Sequence, residues 1–160
     1  MTSEALAYRN TVLNPLKFVP GMLTKLPSII FWGIRVKELN EKDCVISLPF
    51  NWRTQNPFRS IYFAALAGAA EFSSGVLCQM YLSGRKPHAM LVVDFRAEFF
   101  KKADQEIFFS CDQGLELCQV LDNLTKTGDS NTFTMISSGK TKDGLEVARF
   151  YVTWSFKRKG

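Results

Sequence analysis

Residues Ser60 to Gly84, SIYFAALAGAAEFSSGVLCQMYLSG, decide the fold of this chain. Large apolar residues alternate there with Ala, Gly and Ser, and Glu71 is the only carboxylate in the stretch. A helix that is apolar on all of its faces is expected to be buried. The stretch therefore predicts a long central helix that carries one buried acidic group.

Glu71 is the leading candidate for a catalytic residue. A carboxylate in such a helix must be paired, hydrogen-bonded or shifted toward its neutral form, and groups with perturbed pKa values cluster at functional sites. Two structural alternatives stay open: the carboxylate is satisfied by backbone or hydroxyl donors, or it reaches solvent at a gap in the packing. A membrane span is disfavoured, because a central Glu costs about 3 kcal/mol on insertion scales.

The segments on either side of this helix read as strands and short helices. Residues 1–30, broken by Pro15, Pro20 and Pro27, predict an N-terminal segment with one or two short helices. Residues 31–160 predict a single domain. Its expected elements are a hairpin with one strand from Trp32 and one over 44–50, the helix opened by Ser60 as N-cap, strands over 90–100, 106–111, 131–138 and 145–157, and a helix over 117–124 that Gly128 ends.

This order of elements predicts an α+β protein. A helix that is apolar all round needs cover on every side, and one strongly curved antiparallel sheet of about six strands wrapped around it provides that cover. In the strand over 90–100, the residues Leu91, Val93, Phe95, Ala97 and Phe99 are expected to share one face. An open sheet has edge strands, and pairing them in a two-fold dimer is a common way to cover them.

Composition excludes several classes of function. The 160 residues carry a net charge of +5, four scattered Cys without a C-x-x-C pair, and a single His, His88, so a zinc site is disfavoured. The basic residues 157–159 suit a solvated end or an anionic ligand, and no basic helix or aromatic-interleaved motif indicates nucleic-acid binding. With no secretory pattern at its start, the protein is expected to be soluble and cytoplasmic, with reduced thiols.

The surroundings of Glu71 on the helix suggest where a ligand binds. The residues that share a helix face with Glu71 are small, and two of them, Ser74 and Gly75, are candidate substrate contacts. Small residues on that face would equally permit close packing of the helix on the sheet. At the helix start, the free N–H groups of Ile61, Tyr62 and Phe63 can stabilise an oxyanion, and the Asn56 side chain can hold a carbonyl or a water. A carboxylate and a cluster of donors are what acyl transfer to water requires.

The run N-P-F-R-S-I-Y-F-A-A-L-A-G-A-A-E, residues 56–71, resembles the signature of hotdog-fold acyl-CoA thioesterases. In that signature an Asn is followed six residues later by a His and nine further on by an Asp or Glu, and Asn56, Tyr62 and Glu71 keep this spacing. The resemblance extends from about Trp32 to Phe156. It is closest to a branch of uncharacterised thioesterase-like proteins in which Tyr commonly stands at the His position.

The resemblance implies a hotdog fold and a role for each matching residue. Glu71 becomes the general base or nucleophile, Asn56 the positioner of the thioester carbonyl or water, and the N–H of Phe63 the oxyanion donor. It also implies a homodimer, or a tetramer built from dimers, with the site shared between subunits and coenzyme A entering only as part of the substrate. The candidate substrate contacts at the helix start and after the long strand are Arg59, Ser60, Lys101 and Lys102, the two lysines facing the coenzyme A phosphates.

Departures from the signature keep a second interpretation open. Arg59 replaces the usual Gly, Phe63 and Ala64 replace a Gly-Gly pair, and Val92 stands where some members have Ser. The alternative to an acyl-CoA thioesterase is therefore a non-catalytic protein that binds an acyl or lipid-like ligand. A hydratase of the same fold is disfavoured, because its acid/base pair usually includes a His inside the site and His88 lies past the helix.

Overall fold

The chain forms five helices and six strands, described here for residues 1–160 from a computed structural model. In chain order the elements are α1 (Ser3–Leu13), α2 (Pro15–Lys25), α3 (Pro27–Trp32), β1 (Arg35–Leu39), β2 (Cys44–Leu48), α4 (Phe63–Leu82), β3 (His88–Phe99), β4 (Ile107–Cys111), α5 (Gly114–Asp122), β5 (Ser130–Lys140) and β6 (Glu146–Arg158). The long apolar stretch is thus one 20-residue helix, α4. The prediction of an α+β protein is confirmed.

All six strands join one antiparallel sheet in the order β1-β2-β4-β5-β6-β3. Helix α4 packs against β2, β4, β5 and β6, so its apolar surface is buried by the middle of the sheet. Alternate residues of β6 face α4 as the period of two predicts, and five of them are buried: Ala148, Phe150, Val152, Trp154 and Phe156.

Phe150 is the centre of an aromatic cluster in this core. Its ring centroid lies 5.7 Å from that of Phe109 and 5.7 Å from that of Phe99, in edge-to-face geometry. Phe109 is seated directly over Gly139 of β5, where an added Cβ would come within 2.6 Å of the ring. The glycine therefore makes room for a large side chain on the neighbouring strand.

The start of α4 differs from the sequence prediction. Ser60 is not its N-cap, since the helix begins at Phe63 and the capping position is Tyr62, without a side-chain cap. The chain before it folds back on itself in an isolated bridge between Gln55 and Ile61. Ser60 is held in that loop, where its backbone and its hydroxyl both donate to the Asn56 side chain.

The N-terminal segment contains three helices rather than one or two. Pro15 and Pro27 each stand in the first turn of a helix, where a missing N–H costs nothing. Trp32 belongs to α3 and not to a strand, because Gly33 at a φ of 75° ends that helix before β1 begins. Helix α5 likewise ends at Asp122, several residues before Gly128.

The long strand β3 contains a β-bulge that the alternation of its sequence did not reveal. The register with β6 shifts between Val92 and Asp94. Before the bulge Met90 and Val92 pack against the core, whereas after it the inward residues are Phe95, Ala97 and Phe99. The extra residue reverses the face of the strand, so the expected single stripe from Leu91 to Phe99 is wrong in its first half.

One edge strand of the sheet, β1, is covered by a helix, and the other, β3, is not. Helix α1 packs beside β1, and Arg9 Nε donates a hydrogen bond of 2.6 Å to the Leu39 carbonyl there. Nothing covers the outer edge of β3, where Leu91 is 66% exposed and Val93 52% exposed. Residues with such large apolar side chains on a bare edge are typical of a surface that pairs with another chain.

Candidate functional site

Glu71 lies in the middle of α4 with its carboxylate unpaired. It forms no side-chain hydrogen bond and no salt bridge. Burial raises the pKa of this carboxyl above its ordinary value, and desolvation is the cause. The alternative in which backbone or hydroxyl donors satisfy the carboxylate is therefore wrong. The group is desolvated and has its acceptor atoms free.

Glu71 borders a cavity of about 250 Å³, here called the Glu71 cavity. Among the residues that line it are Tyr8, Met22, Leu26, Glu71, Gly75 and Trp154. One wall thus comes from the N-terminal helices α1 and α2, and the opposite wall comes from α4 and β6. Because the N-terminal segment packs here, as the Phe18–Phe72 ring contact at 6.1 Å also shows, it helps to enclose the carboxylate.

Of the two predicted contacts on the helix stripe, Gly75 lines this cavity and Ser74 does not. Ser74 is buried, and its Oγ donates to the Glu71 carbonyl at 2.9 Å while accepting from Trp154 Nε1 at 3.0 Å. Its hydroxyl is therefore committed within the protein. What Ser74 does in this structure is hold the Trp154 indole against the helix beside Glu71.

A second cavity, of about 330 Å³, lies at the start of α4 and is here called the helix-start cavity. It brings together six of the residues that the sequence singled out: Asn56, Ser60, Tyr62, Phe63, Lys101 and Lys102. The two lysines follow β3 and reach the cavity from the sheet side. Residues from the loop, the helix and the strand end therefore converge on one opening.

The free backbone donors at this opening differ from those predicted. Ile61 N donates to the Ala103 carbonyl at 2.7 Å, and Tyr62 N donates to the Thr54 carbonyl at 2.7 Å. Both groups are used to hold the loop. The amides of Phe63, which lines the cavity, and of Ala64, the next residue of α4, have no acceptor, so they are the pair left free at the helix start to bind an oxyanion. Sequence reasoning missed Ala64 because it placed the helix start too early.

Asn56 organises the loop as well as facing the cavity. Its Oδ1 accepts from the amides of Phe58 and Ser60, at 3.0 and 3.2 Å, and from the Ser60 hydroxyl at 3.2 Å. Its Nδ2 makes only a long contact of 3.5 Å with the Ile61 carbonyl. The oxygen is therefore fully used, and the amide hydrogens are what Asn56 can offer to a ligand.

Arg59 lines neither cavity, and its backbone explains why a glycine would suit the position. Its φ of 56° is the only positive φ at a non-glycine residue in the chain. The left-handed region costs an L-residue about 1–2 kcal/mol. The side chain is exposed, so no buried contact offsets this strain.

Within one chain, the carboxylate and the free amides are not brought together. Glu71 lies eight residues after Phe63, so along the helix axis the two are separated by about 12 Å. A base and an oxyanion donor that serve the same carbonyl must both lie within about 3 Å of the reacting atoms. Within one protomer the two cavities are therefore separate, and the Glu71 carboxylate does not reach the free amides of the helix start.

Other reactive side chains lie away from both cavities or are inert. No group of three or more His, Cys, Asp or Glu side chains is placed to hold a metal ion. His88 Nδ1 lies 2.6 Å from the Lys86 carbonyl, at the far end of β3 from the helix start. Burial raises the pKa of the Cys111 thiol to about 12, which leaves it protonated and unreactive at neutral pH.

No helix of the chain combines the length and the apolar character that crossing a bilayer demands.

Several solved structures share this fold. A Pseudomonas aeruginosa protein, PA5026, described as a "probable thioesterase", has a TM-score of 0.73 and 16% identity over 92% of this chain and 98% of its own. A Chlorobaculum tepidum protein of unknown function has a TM-score of 0.75 and 12% identity, over 92% and 99%. The Haemophilus influenzae thioesterase HI1161 has a TM-score of 0.67 and 14% identity, over 86% and 87%.

These structures and the six-stranded sheet around α4 confirm the predicted hotdog fold. No protein with curated annotation matches the chain significantly. A family model described as "Domain of unknown function (DUF4442)" matches residues 17–155, a range that includes most of α2, five of the six strands, most of β6, and both Asn56 and Glu71. The chain therefore belongs to the DUF4442 family of hotdog-fold proteins.

Proposed function

We propose that this protein is a thioester hydrolase that cleaves acyl-CoA by Glu71-assisted attack of water. The observation that carries the proposal is the carboxylate of Glu71, which is desolvated and unpaired at the wall of a largely apolar cavity. A carboxylate with a raised pKa is a stronger base than a solvated one, and this favours Glu71 as a general base. Structural neighbours named as thioesterases share the fold and support this class of reaction.

The proposed reaction uses both cavities. Glu71 takes a proton from a water molecule as the water oxygen bonds to the thioester carbonyl carbon. The carbonyl oxygen becomes an oxyanion and accepts hydrogen bonds from the amides of Phe63 and Ala64, with Asn56 Nδ2 beside them. When the C–S bond breaks, the electron pair leaves on sulfur and the proton held by Glu71 passes to the coenzyme A thiolate.

A homodimer is the arrangement that would complete this site. The bare edge of β3 offers an apolar row with free backbone groups, and a two-fold axis beside it would extend the sheet across two protomers. Glu71 of one protomer would then act with the helix start of its partner. Lys101 and Lys102, at the opening of the helix-start cavity, would meet the phosphates of coenzyme A. The expected compartment is the cytoplasm, where acyl-CoA is available.

The test is hydrolysis of a panel of acyl-CoA thioesters by the wild type and by Glu71→Gln. Gln keeps the size of the side chain and removes its basicity, so the rate should fall by about 10²–10⁴-fold while the protein stays folded. Glu116→Gln is the matched control, because Glu116 is an exposed residue of α5 that forms no hydrogen bond or salt bridge through its side chain. Equal rates for wild type and Glu71→Gln would remove Glu71 from the mechanism.

A second candidate function is the binding of an acyl ligand without turnover. It is favoured by Asn56, whose oxygen is fully used within the loop, and by Phe63, whose bulky side chain is 59% exposed beside the free amides. Native mass spectrometry of the purified protein separates the two. A retained acyl ligand in a protein that cleaves no thioester supports binding, and an empty protein that cleaves them supports the hydrolase.

A further inference from the structure

The Glu71 cavity has the form of a groove along α4. Glu71, Gly75 and Gln79 are spaced four residues apart, and all three line it. Residues at this spacing lie on one face of a helix, and the eight-residue interval measures about 12 Å along the axis. Seven of the eleven lining residues are hydrophobic, so the groove is a mainly apolar slot with a carboxylate on its wall.

Gly75 is what leaves the slot open next to the carboxylate. A Cβ added there would lie 3.4 Å from Trp154 Cζ2 and 3.5 Å from Glu71 Oε1, in ordinary contact with both. Any larger side chain would therefore extend into the space between the indole and the carboxylate. The Trp154 indole is held beside this space by the hydrogen bond of 3.0 Å that its Nε1 donates to Ser74 Oγ.

The outer wall of the groove comes from the N-terminal helices. Met22 and Leu26, at the end of α2 and just after it, face α4 across the slot, and Met90 of β3 closes the side toward the sheet. At the far end, Gln79 Nε2 lies 3.6 Å from Met90 Sδ, and the Gln79 side chain is exposed. The groove thus begins at the half-buried carboxylate of Glu71 and opens to solvent at the amide of Gln79.

We propose that this groove binds the acyl chain of the thioester, with its carbonyl end at Glu71, and that it accommodates straight chains of about ten carbons. The length follows from the geometry, since an extended chain advances about 1.2 Å per bond and the groove offers about 12 Å. This inference rests on the proposed function for the identity of the ligand. Carbons beyond the tenth would emerge past Gln79 into water and add no binding.

The test is calorimetric binding of saturated straight-chain acyl-CoAs to the Glu71→Gln protein, which is not expected to consume them. Affinity should rise about fourfold for each added methylene while the chain lies in the groove, and it should level off at about ten carbons. Gly75→Leu fills the slot and should move this plateau to shorter chains. Gly21→Leu is the matched control, because an added Cβ at Gly21 meets no atom within 4 Å.

The binding experiment tests the acyl-chain groove independently of whether the protein hydrolyses thioesters. Three results would overturn the proposal that the groove binds the acyl chain: affinity that does not depend on chain length, an unchanged plateau in Gly75→Leu, or no binding at all. Each would do so whether or not the wild type cleaves thioesters. A plateau that shifts as expected upholds the groove even if no thioester is cleaved. Should Gly75→Leu fail to fold, Met22→Trp narrows the slot from the opposite wall and is expected to shift the plateau in the same direction.

Discussion

Mixing two inactive variants tests whether the site is shared between protomers. The first variant is Glu71→Gln, which removes the base. The second is Asn56→Asp, which keeps the oxygen that holds the Phe58 and Ser60 amides but replaces the amide donor by a negative charge near the oxyanion. Each variant alone should lose about 10²–10⁴-fold in rate, because each damages both sites of its dimer.

The mixed dimer should recover activity by an amount that the geometry sets. Glu71 and Phe63 lie about 12 Å apart along one helix, so in the proposed dimer a complete site would take its carboxylate from one protomer and its donors from the other. A mixed dimer then holds one intact site and one site with both defects. Random pairing of equal amounts makes half of the dimers mixed, so the sample should regain about one quarter of wild-type activity.

The assay is release of free coenzyme A thiol after the two variants are unfolded and refolded together. Native mass spectrometry of differently tagged chains establishes that mixed dimers have formed. A mixture of two Glu71→Gln preparations serves as the control and should stay inactive. If mixed dimers are present and the rate remains the average of the two parents, the shared site is refuted.

Three further predictions concern pH and stability. Because burial raises the pKa of Glu71 above 4.5, the protonated carboxyl stabilises the fold fully below pH 4.5, and this contribution is lost as pH rises through the raised pKa. Glu71→Gln should therefore have a higher melting temperature than the wild type at pH 7, and calorimetric scans should show this difference shrinking toward pH 4. A difference that does not change with pH would contradict the desolvation of Glu71. Arg59→Gly relieves a left-handed backbone and should raise the free energy of unfolding by about 1 kcal/mol in urea titrations, whereas a lower midpoint would show that the arginine side chain matters more than the strain. Gly114→Ala should lose about 3 kcal/mol in the same titration, since its Cβ would overlap the Glu41 carbonyl oxygen, while Gly21→Ala faces open space and should lose nothing.

The fold was predictable wherever local pattern and burial agree. The length and apolar character of α4 followed from its composition, and the inward face of β6 followed from strict alternation. The bulge in β3 was not predictable, because Val92 and Val93 are equally suited to either face. Only the pairing with β6 decides which one turns inward.

The candidate site was predictable at Glu71 and less so at the helix start. A lone carboxylate in an apolar helix has few structural explanations, and the structure leaves it unpaired at a cavity. Ser60 was predicted as the N-cap of α4 because serine is a preferred N-cap residue and precedes the apolar run. The loop before α4 instead pairs Ile61 with Ala103, a partner forty-two residues away that no local pattern could indicate. Ser74 was misleading for a similar reason, since its bond to Trp154 spans eighty residues.

The unequal edges of the sheet limit how far these chains can assemble. With α1 lying along β1, a protomer offers one free strand, β3, for pairing. If two such strands joined about a two-fold axis, neither protomer would keep a bare edge strand, so edge-to-edge pairing would stop at two chains. The packing of α1 on β1, with the Arg9 hydrogen bond to Leu39, would therefore restrict edge pairing to β3, and a chain that lacks α1 would expose both edges of the sheet.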